Sequence, residues 1–292
     1  MEKITSKSEI LKRIENQGFC EIECTVSDKK LNNIQQIIKK AFEKPMINGQ
    51  SGYVLSKGYK YLYQTLSWSK DIVDFYTNEK LIDIIETYQQ SKVHISNYRI
   101  YSSNSKKSSK MPWHTDNKID FFDEEKEKFI TKLAPNDKGI IMISYLSDVI
   151  DGGLQIVKGS HKWAFNEEVW EGRENEFVDK IVTFNNRKAG TTIIYDYRCI
   201  HRAKPYTSKT KEDRISAFAQ FSSENMPVGE PILLPTEYSD TLSSKQKQLL
   251  NFGLKPSTKN WPIGMPYEIS QFSWGLKKRL EYCKGIIRKI LK

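Results

Sequence analysis

Apolar and polar positions along the chain change period near residue 93. Ahead of it, Ile10, Leu11 and Ile14 recur at three-to-four spacing, which predicts a helix stopped by Gly18. Phe19-Cys20-Glu21-Ile22 alternates briefly, as a strand does. Leu31, Ile34, Ile37, Ile38 and Phe42 then mark one face of a second helix, with Ser27 as its N-cap. Residues 45–70 are rich in Gly, Tyr and Ser and predict loop with short extended pieces. Ile72–Gln89 is helical again, with Asn78 as an internal break or cap. From residue 93 the period is two: Val93–Tyr101, Ile140–Leu146, Leu154–Val157, Thr191–Tyr197 and Ile215–Phe221. These runs are β-branched and aromatic, and Asp151-Gly152-Gly153, Lys158-Gly159-Ser160 and Ala189-Gly190 punctuate them.

Helices first and strands afterwards predict an α+β protein, with the helices packed on one side of an antiparallel β core. A jelly roll or similar double-sheet barrel closes such a core. The expected organisation is a single domain over residues 1–265, with a helical start at 1–90, a β core at 91–225 and a C-terminal extension at 226–265. A basic amphipathic helix follows at 266–292. The charged stretch 117–138 separates two strands and reads as a solvated helix or loop, or as a lid over a site.

Composition sets the class. With 38% hydrophobic residues in 292, the chain has material for a sizeable core. No apolar run approaches the roughly 20 residues of a membrane span, and the first residues lack the apolar stretch of a secretory signal, so a cytoplasmic protein is expected. Four cysteines without a CxxC pair fit reduced thiols better than a structural zinc site. The net charge is +10, but between Lys277 and Lys292 seven basic residues face one acidic residue. That tail holds +6, which leaves +4 for the rest. Leu276, Leu280, Cys283, Ile287 and Ile290 form an apolar stripe along it. Such a helix docks on the main domain, on a partner, or on an anionic membrane surface through residues 274–292, which would make the protein peripheral to the membrane. No aromatic-interleaved basic stripe accompanies the β core, so nucleic acid is not the expected partner. Oligomeric state leaves no mark in the sequence.

The chemistry rests on few residues. His114 and Asp116, in Trp113-His114-Thr115-Asp116, project to one side if extended. His201 closes the run that begins at Thr191. Two such strands facing each other inside a barrel would bring His, Asp and His to one face of a metal and leave its other positions open, as in non-haem Fe(II) oxygenases. Arg214 opens the strand at Ile215–Phe221. A guanidinium pointing into an apolar barrel needs a buried anion, and the distal carboxylate of a 2-oxo acid would serve. Asn97, Tyr98 and Arg99 lie on the strand leading to the triad and are further candidates for reaching cofactor or substrate. His161 reads as a turn-holding residue, His94 as a packed or surface histidine, and Trp113 as either a wall of the site or core.

These motifs resemble the phytanoyl-CoA dioxygenase family of Fe(II)- and 2-oxoglutarate-dependent oxygenases. The resemblance is carried by Trp113-His114-Thr115-Asp116, by Gly152-Gly153-Leu154-Gln155-Ile156-Val157-Lys158-Gly159-Ser160-His161, by Ala189–Asp196 running into His201, and by Arg214. It spans about residues 8–225. It implies a double-stranded β-helix core. It also implies Fe(II) held by His114, Asp116 and His201, 2-oxoglutarate paired by Arg214, and O2 as the oxidant; Arg99 and Asn97 are added as cofactor contacts from their strand position alone. Oxidative decarboxylation to succinate and CO2 would drive hydroxylation of an unactivated C–H in a small-molecule or carrier- or lipid-linked substrate. Asp116 favours hydroxylation over halogenation, because related halogenases put a small residue there. The alternatives are a non-catalytic, metal-containing ligand-binding jelly roll and a dioxygenase directed at nucleic acid.

Overall fold

The computed structural model describes residues 6–43, 53–56, 59–104, 111–123, 128–133, 138–163, 170, 172–207, 213–224, 232 and 234–252. The expected helix at 266–292 lies outside them. The protein is mixed α/β with antiparallel sheets. Helix α1 (Lys7–Gln17) ends at Gly18, whose φ of 89° is open to glycine at little cost. Strand β1 (Phe19–Ile22), α2 (Asp28–Glu43) and the short strands β2 (Tyr53–Ser56) and β3 (Tyr59–Leu62) follow. Asn78 separates α3 (Lys70–Tyr76) from α4 (Glu79–Gln89), and its side chain accepts from the Leu81 amide as an N-cap.

The later strands come next: β4 (Val93–Ser103), β5 (Lys118–Asp123), β6 (Lys128–Leu133), β7 (Ile140–Tyr145) and β8 (Leu154–Val157). After them run β9 (Ile181–Thr183), β10 (Thr192–Asp196), β11 (His201–Ala203) and β12 (Arg214–Ser223), then the short helices α5 (Thr236–Ser239) and α6 (Ser244–Leu249). Seven strands form a major sheet in the order β1-β10-β7-β12-β4-β3-β2, and β11-β8-β9 form a minor one. Among the described residues, no helix is long and apolar enough to cross a membrane.

Alternation gives the major sheet two working faces. Met142, Ile194, Ala217, Ala219, Tyr98 and Ile100 join Ile10, Ile14, Ile34, Ile38, Ile72 and Ile85 of the helices in one buried cluster. Their neighbours Ile141, Ile143, Tyr145, Ile193 and Tyr195 face the other way and pack with Leu154 and Ile156 of the minor sheet. Strand β4 changes parity along its length. Asn97 pairs with Gln220 but Ile95 pairs with Phe221, so Ser96 is an extra residue, a β-bulge. Val93 and Ile95 therefore reach the helical cluster before the bulge, and Tyr98 and Ile100 reach it after.

Two sequence expectations change here. The run from Thr191 to His201 is not one strand: β10 stops at Asp196, a turn closes with the Cys199 amide on the Asp196 carbonyl, and His201 opens β11 in the other sheet. The cause is Asp196, whose carboxylate caps the amide of Arg198 and grips that residue's guanidinium. Within the stretch 117–138 the described residues are not the expected helix or loop, since β5 and β6 pair antiparallel from Lys118↔Leu133 to Asp123↔Lys128. Alternating Ile119, Phe121 and Phe129, Thr131 suit strands, and the charged residues between them suit the connection. By its contacts the hairpin falls in a different unit from the other described residues.

Candidate metal centre

His114 and His201 are directly opposed. Each backbone N–H donates to the other's carbonyl, at 3.1 and 2.9 Å, an antiparallel bridge that puts both rings on one face with centroids 4.3 Å apart. The Asp116 amide donates to the Tyr197 carbonyl at 2.9 Å, which brings its carboxylate to the same side. The two rings are held from behind: His114 Nδ1 lies 2.9 Å from the Pro112 carbonyl and His201 Nδ1 lies 3.0 Å from the Cys199 carbonyl. A carbonyl only accepts, so each Nδ1 carries a proton, which leaves each Nε2 as the ring atom that faces Asp116. Both Nε2 atoms point at Asp116, at 3.7 Å from Oδ1 and 3.2 Å from Oδ2. One ligand atom from each residue lies within 4.8 Å of the others. Burial alone would raise the Asp116 carboxyl. The charge and hydrogen bond of His201, then His114 and Arg99, outweigh it and hold it at about 2. An anionic carboxylate and two Nε2 atoms, which release any proton as an ion binds, form a donor set that fits a divalent ion.

The pocket beside these three residues has a volume of about 210 Å³. Its wall is the inner face of the major sheet, read in rows across the strands. Tyr61, Tyr101, Ser216 and Tyr145 stand in register on β3, β4, β12 and β7. Arg99, Phe218 and Ile143 form the next row. Arg214 lines the pocket and is only 6% exposed, yet its Nε has no hydrogen-bond partner. The Ser216 hydroxyl, on the same strand face, is likewise buried and unpartnered. Unmet donors of this kind are costly unless a ligand satisfies them. Leu154 and Ala203 close the pocket from the minor sheet.

The structure thus brings His114, Asp116, His201, Arg214 and Arg99 to one pocket. Asn97 sits beside the bulge and is not among the lining residues, and its Oδ1 is buried without a partner. Tyr98, named with it from the sequence, faces the helices and donates to Gln64 at 2.7 Å, because the bulge reverses the parity of the strand. Trp113 is core: it packs edge-on against Phe177 at 5.3 Å, under the Arg202 guanidinium at 4.1 Å. His161 donates from Nε2 to the Glu15 carbonyl, and Gly159 N–H to the Gln17 carbonyl, so that turn is tied to α1. His94 is buried on β4. The tyrosine and Ser216 row escaped sequence reading. The one local signal was the two-residue step from Arg99 to Tyr101 and from Arg214 to Ser216.

The family model described as Phytanoyl-CoA dioxygenase (PhyH) matches residues 14–215. The chain belongs to this family of iron- and 2-oxoglutarate-dependent enzymes. No curated protein matches it in sequence. Solved structures share its fold at low identity. The epimerase SnoN, in complex with Fe3+, alpha ketoglutarate and nogalamycin RO, is 14% identical over 86% of this chain and 93% of that chain, with a TM-score of 0.56. AviO1 from Streptomyces viridochromogenes Tue57 is 14% identical over 77% and 99%, with a TM-score of 0.56. HygX from Streptomyces hygroscopicus, with nickel, 2-oxoglutarate and hygromycin B bound, is 12% identical over 77% and 90%, with a TM-score of 0.55.

Proposed function

We propose that the protein is an Fe(II)- and 2-oxoglutarate-dependent oxygenase that hydroxylates an unactivated C–H of a small molecule. The two facing sheets are read as a double-stranded β-helix of jelly-roll type. His114 Nε2, Asp116 and His201 Nε2 would hold the metal, and Arg214, assisted by the Ser216 hydroxyl, would receive the distal carboxylate of 2-oxoglutarate. When metal, co-substrate and O2 are bound, oxidative decarboxylation to succinate and CO2 supplies the oxidant. The chain's own residues orient and insulate that chemistry. The Pro112 and Cys199 carbonyls hold both Nδ1 protons, so each ring presents its Nε2 to the metal. Asp116 is anionic across the working pH range. Ile143, Leu154 and Phe218 keep water from the reacting face, while the tyrosines give a substrate ring surface.

The observation that carries this reading is the convergence of two Nε2 atoms and a carboxylate in the same pocket as a buried arginine whose Nε is unpaired. Nogalamycin RO and hygromycin B in the neighbours support a free small molecule over a carrier-linked one. SnoN being an epimerase keeps an outcome other than hydroxylation as the second reading, since C–H abstraction is shared by both.

The test is an anaerobic titration with Fe(II) and 2-oxoglutarate, followed by visible absorption, on wild type and Arg214→Ala. A weak charge-transfer band that needs both components is expected in wild type, with roughly tenfold or weaker co-substrate affinity in the variant, the loss of a charged hydrogen-bonded pair. A folded, metal-loaded wild type without the band would overturn the oxygenase reading in favour of a ligand-binding module.

A further inference from the structure

The pocket holds a second arginine to which the proposed chemistry assigns no ligand. Arg99 stands on the inner face of β4, directly across from Phe218 of β12. Three aromatic rings surround its guanidinium, Phe218 at 5.2 Å, Tyr61 at 5.8 Å and Tyr63 at 5.9 Å. Rings cover the flat faces of a guanidinium and leave its N–H edge free to bind. Its Nε is buried without a partner, and the guanidinium makes no hydrogen bond or ion pair to a described residue.

Charge balance points the same way. The charged residues lining the pocket are Arg99, Arg214 and Asp116. A divalent ion and the two arginines, set against Asp116 and the two carboxylates of 2-oxoglutarate, leave one positive charge over. An uncompensated charge in an apolar, ring-lined pocket is unfavourable, and a ligand bringing one negative charge removes the imbalance. Arg214 is the deeper of the two, while Arg99 is half-buried and more open to an incoming molecule.

We propose that Arg99 is the anion-binding residue for the primary substrate, which therefore carries an oxyanion, a carboxylate or a phosphate, next to the carbon skeleton presented to the metal. The inference rests on the oxygenase reading. It specifies a substrate class within it: small organic acids or phosphate esters, held end-on by the N–H edge of Arg99 with their apolar part against Phe218 and Tyr61.

The experiment uses the full chain loaded anaerobically with Fe(II) and 2-oxoglutarate. Acetate, butyrate, benzoate and inorganic phosphate serve as probes, and their binding is read by calorimetry and by shifts of the charge-transfer band. Wild type, Arg99→Gln, Arg99→Lys and Arg214→Gln are compared. The expected result is saturable binding of at least one probe to wild type, weakened roughly tenfold or more in Arg99→Gln and partly restored in Arg99→Lys. Co-substrate affinity in both Arg99 variants should stay near wild type, while Arg214→Gln loses it. Preference for carboxylates or for phosphate distinguishes the two oxyanions. If Arg99→Gln weakens 2-oxoglutarate as Arg214→Gln does, Arg99 is a co-substrate residue and the proposal fails. It fails too if no probe binds, or if every probe binds equally well to wild type and Arg99→Gln. Absence of the band in wild type is a different result: it defeats the oxygenase reading itself.

Discussion

Asp196 touches nothing in the pocket, yet replacing it by Asn should damage the metal centre. Its carboxylate is fully buried and accepts from the Tyr88 hydroxyl at 2.6 Å, from Arg198 Nε and Nη2 at 2.9 and 2.7 Å, and from the Arg198 amide at 2.8 Å. Asn keeps the shape but removes the charge, and whichever way its amide turns, its NH2 faces an Arg198 N–H that can only donate. Breaking a buried ion pair costs about 3–5 kcal/mol, and with the Arg198 side chain 14% exposed the lower end applies. At about 2 °C per kcal/mol for a chain of this size, the melting temperature should fall by roughly 6 °C. The functional effect comes from what the turn carries. Its Tyr197 carbonyl holds the Asp116 amide and its Cys199 carbonyl holds His201 Nδ1. Loosening a partner that orients a metal-binding histidine typically lowers metal affinity about 10–100-fold. Thermal unfolding of the metal-free protein and anaerobic Fe(II) competition against a chelator measure the two effects separately. Tyr88→Phe is the control: it removes one of the four hydrogen bonds, leaves the ion pair, and should bind metal nearly as wild type does. If Asp196→Asn melts lower but binds Fe(II) with wild-type affinity, the turn does not position the ligands and the reasoning is refuted.

Gly18→Ala should cost about 2 kcal/mol or more, since it combines a left-handed backbone with overpacking. Its Cβ would overlap Cys199 Sγ and lie 2.7 Å from His161 Nδ1, and urea unfolding at neutral pH checks it; an unchanged midpoint contradicts the packing described. His161 should make the protein acid-sensitive. Burial lowers its pKa below the ordinary 6.5, so between the two values the unfolded chain binds a proton that the folded one does not. Stability is then full above about pH 6.5 and falls as the pH drops toward the folded value. Urea midpoints at about pH 7.5 and 5.5 should differ less in His161→Gln than in wild type, and equal slopes would assign the acid sensitivity to other groups.

Much of the site was legible because its chemistry is local. His114 and Asp116 are two residues apart, and β-branched runs marked β7, β8, β10 and β12 within a residue or two of their ends. Arg214 stood out as a cation opening an apolar strand. What escaped depends on pairing between distant segments. The break between Asp196 and His201 is set by Tyr88, 108 residues earlier, as well as by Arg198. The row Tyr61, Tyr101, Ser216 and Tyr145 exists only once four strands are in register, and no one-dimensional period announces it. The hairpin β5–β6 was hidden by its charged connection, which dominated the composition of the whole stretch. Tyr98 was placed with Arg99 because unbroken alternation gives no hint of an inserted residue.

That inserted residue has a consequence for how the protein tolerates changes in chain length. Strand β4 is two half-strands of opposite phase joined at Ser96, whose hydroxyl meets Ser222 Oγ at 2.9 Å. Removing one residue there would bring the halves into phase, and the sheet would have to choose which one keeps its orientation. If the first half holds, Arg99 and Tyr101 turn into the helical layer and Tyr98 and Ile100 into the pocket. If the second holds, Val93 and Ile95 leave the helices. Either way the deletion converts a one-residue edit into an exchange of helix-packing and pocket-lining side chains for half a strand. A point substitution on the inner face changes one lining residue and leaves the phase of the strand intact, so the specificity of this sheet can be altered residue by residue but not by changing its spacing.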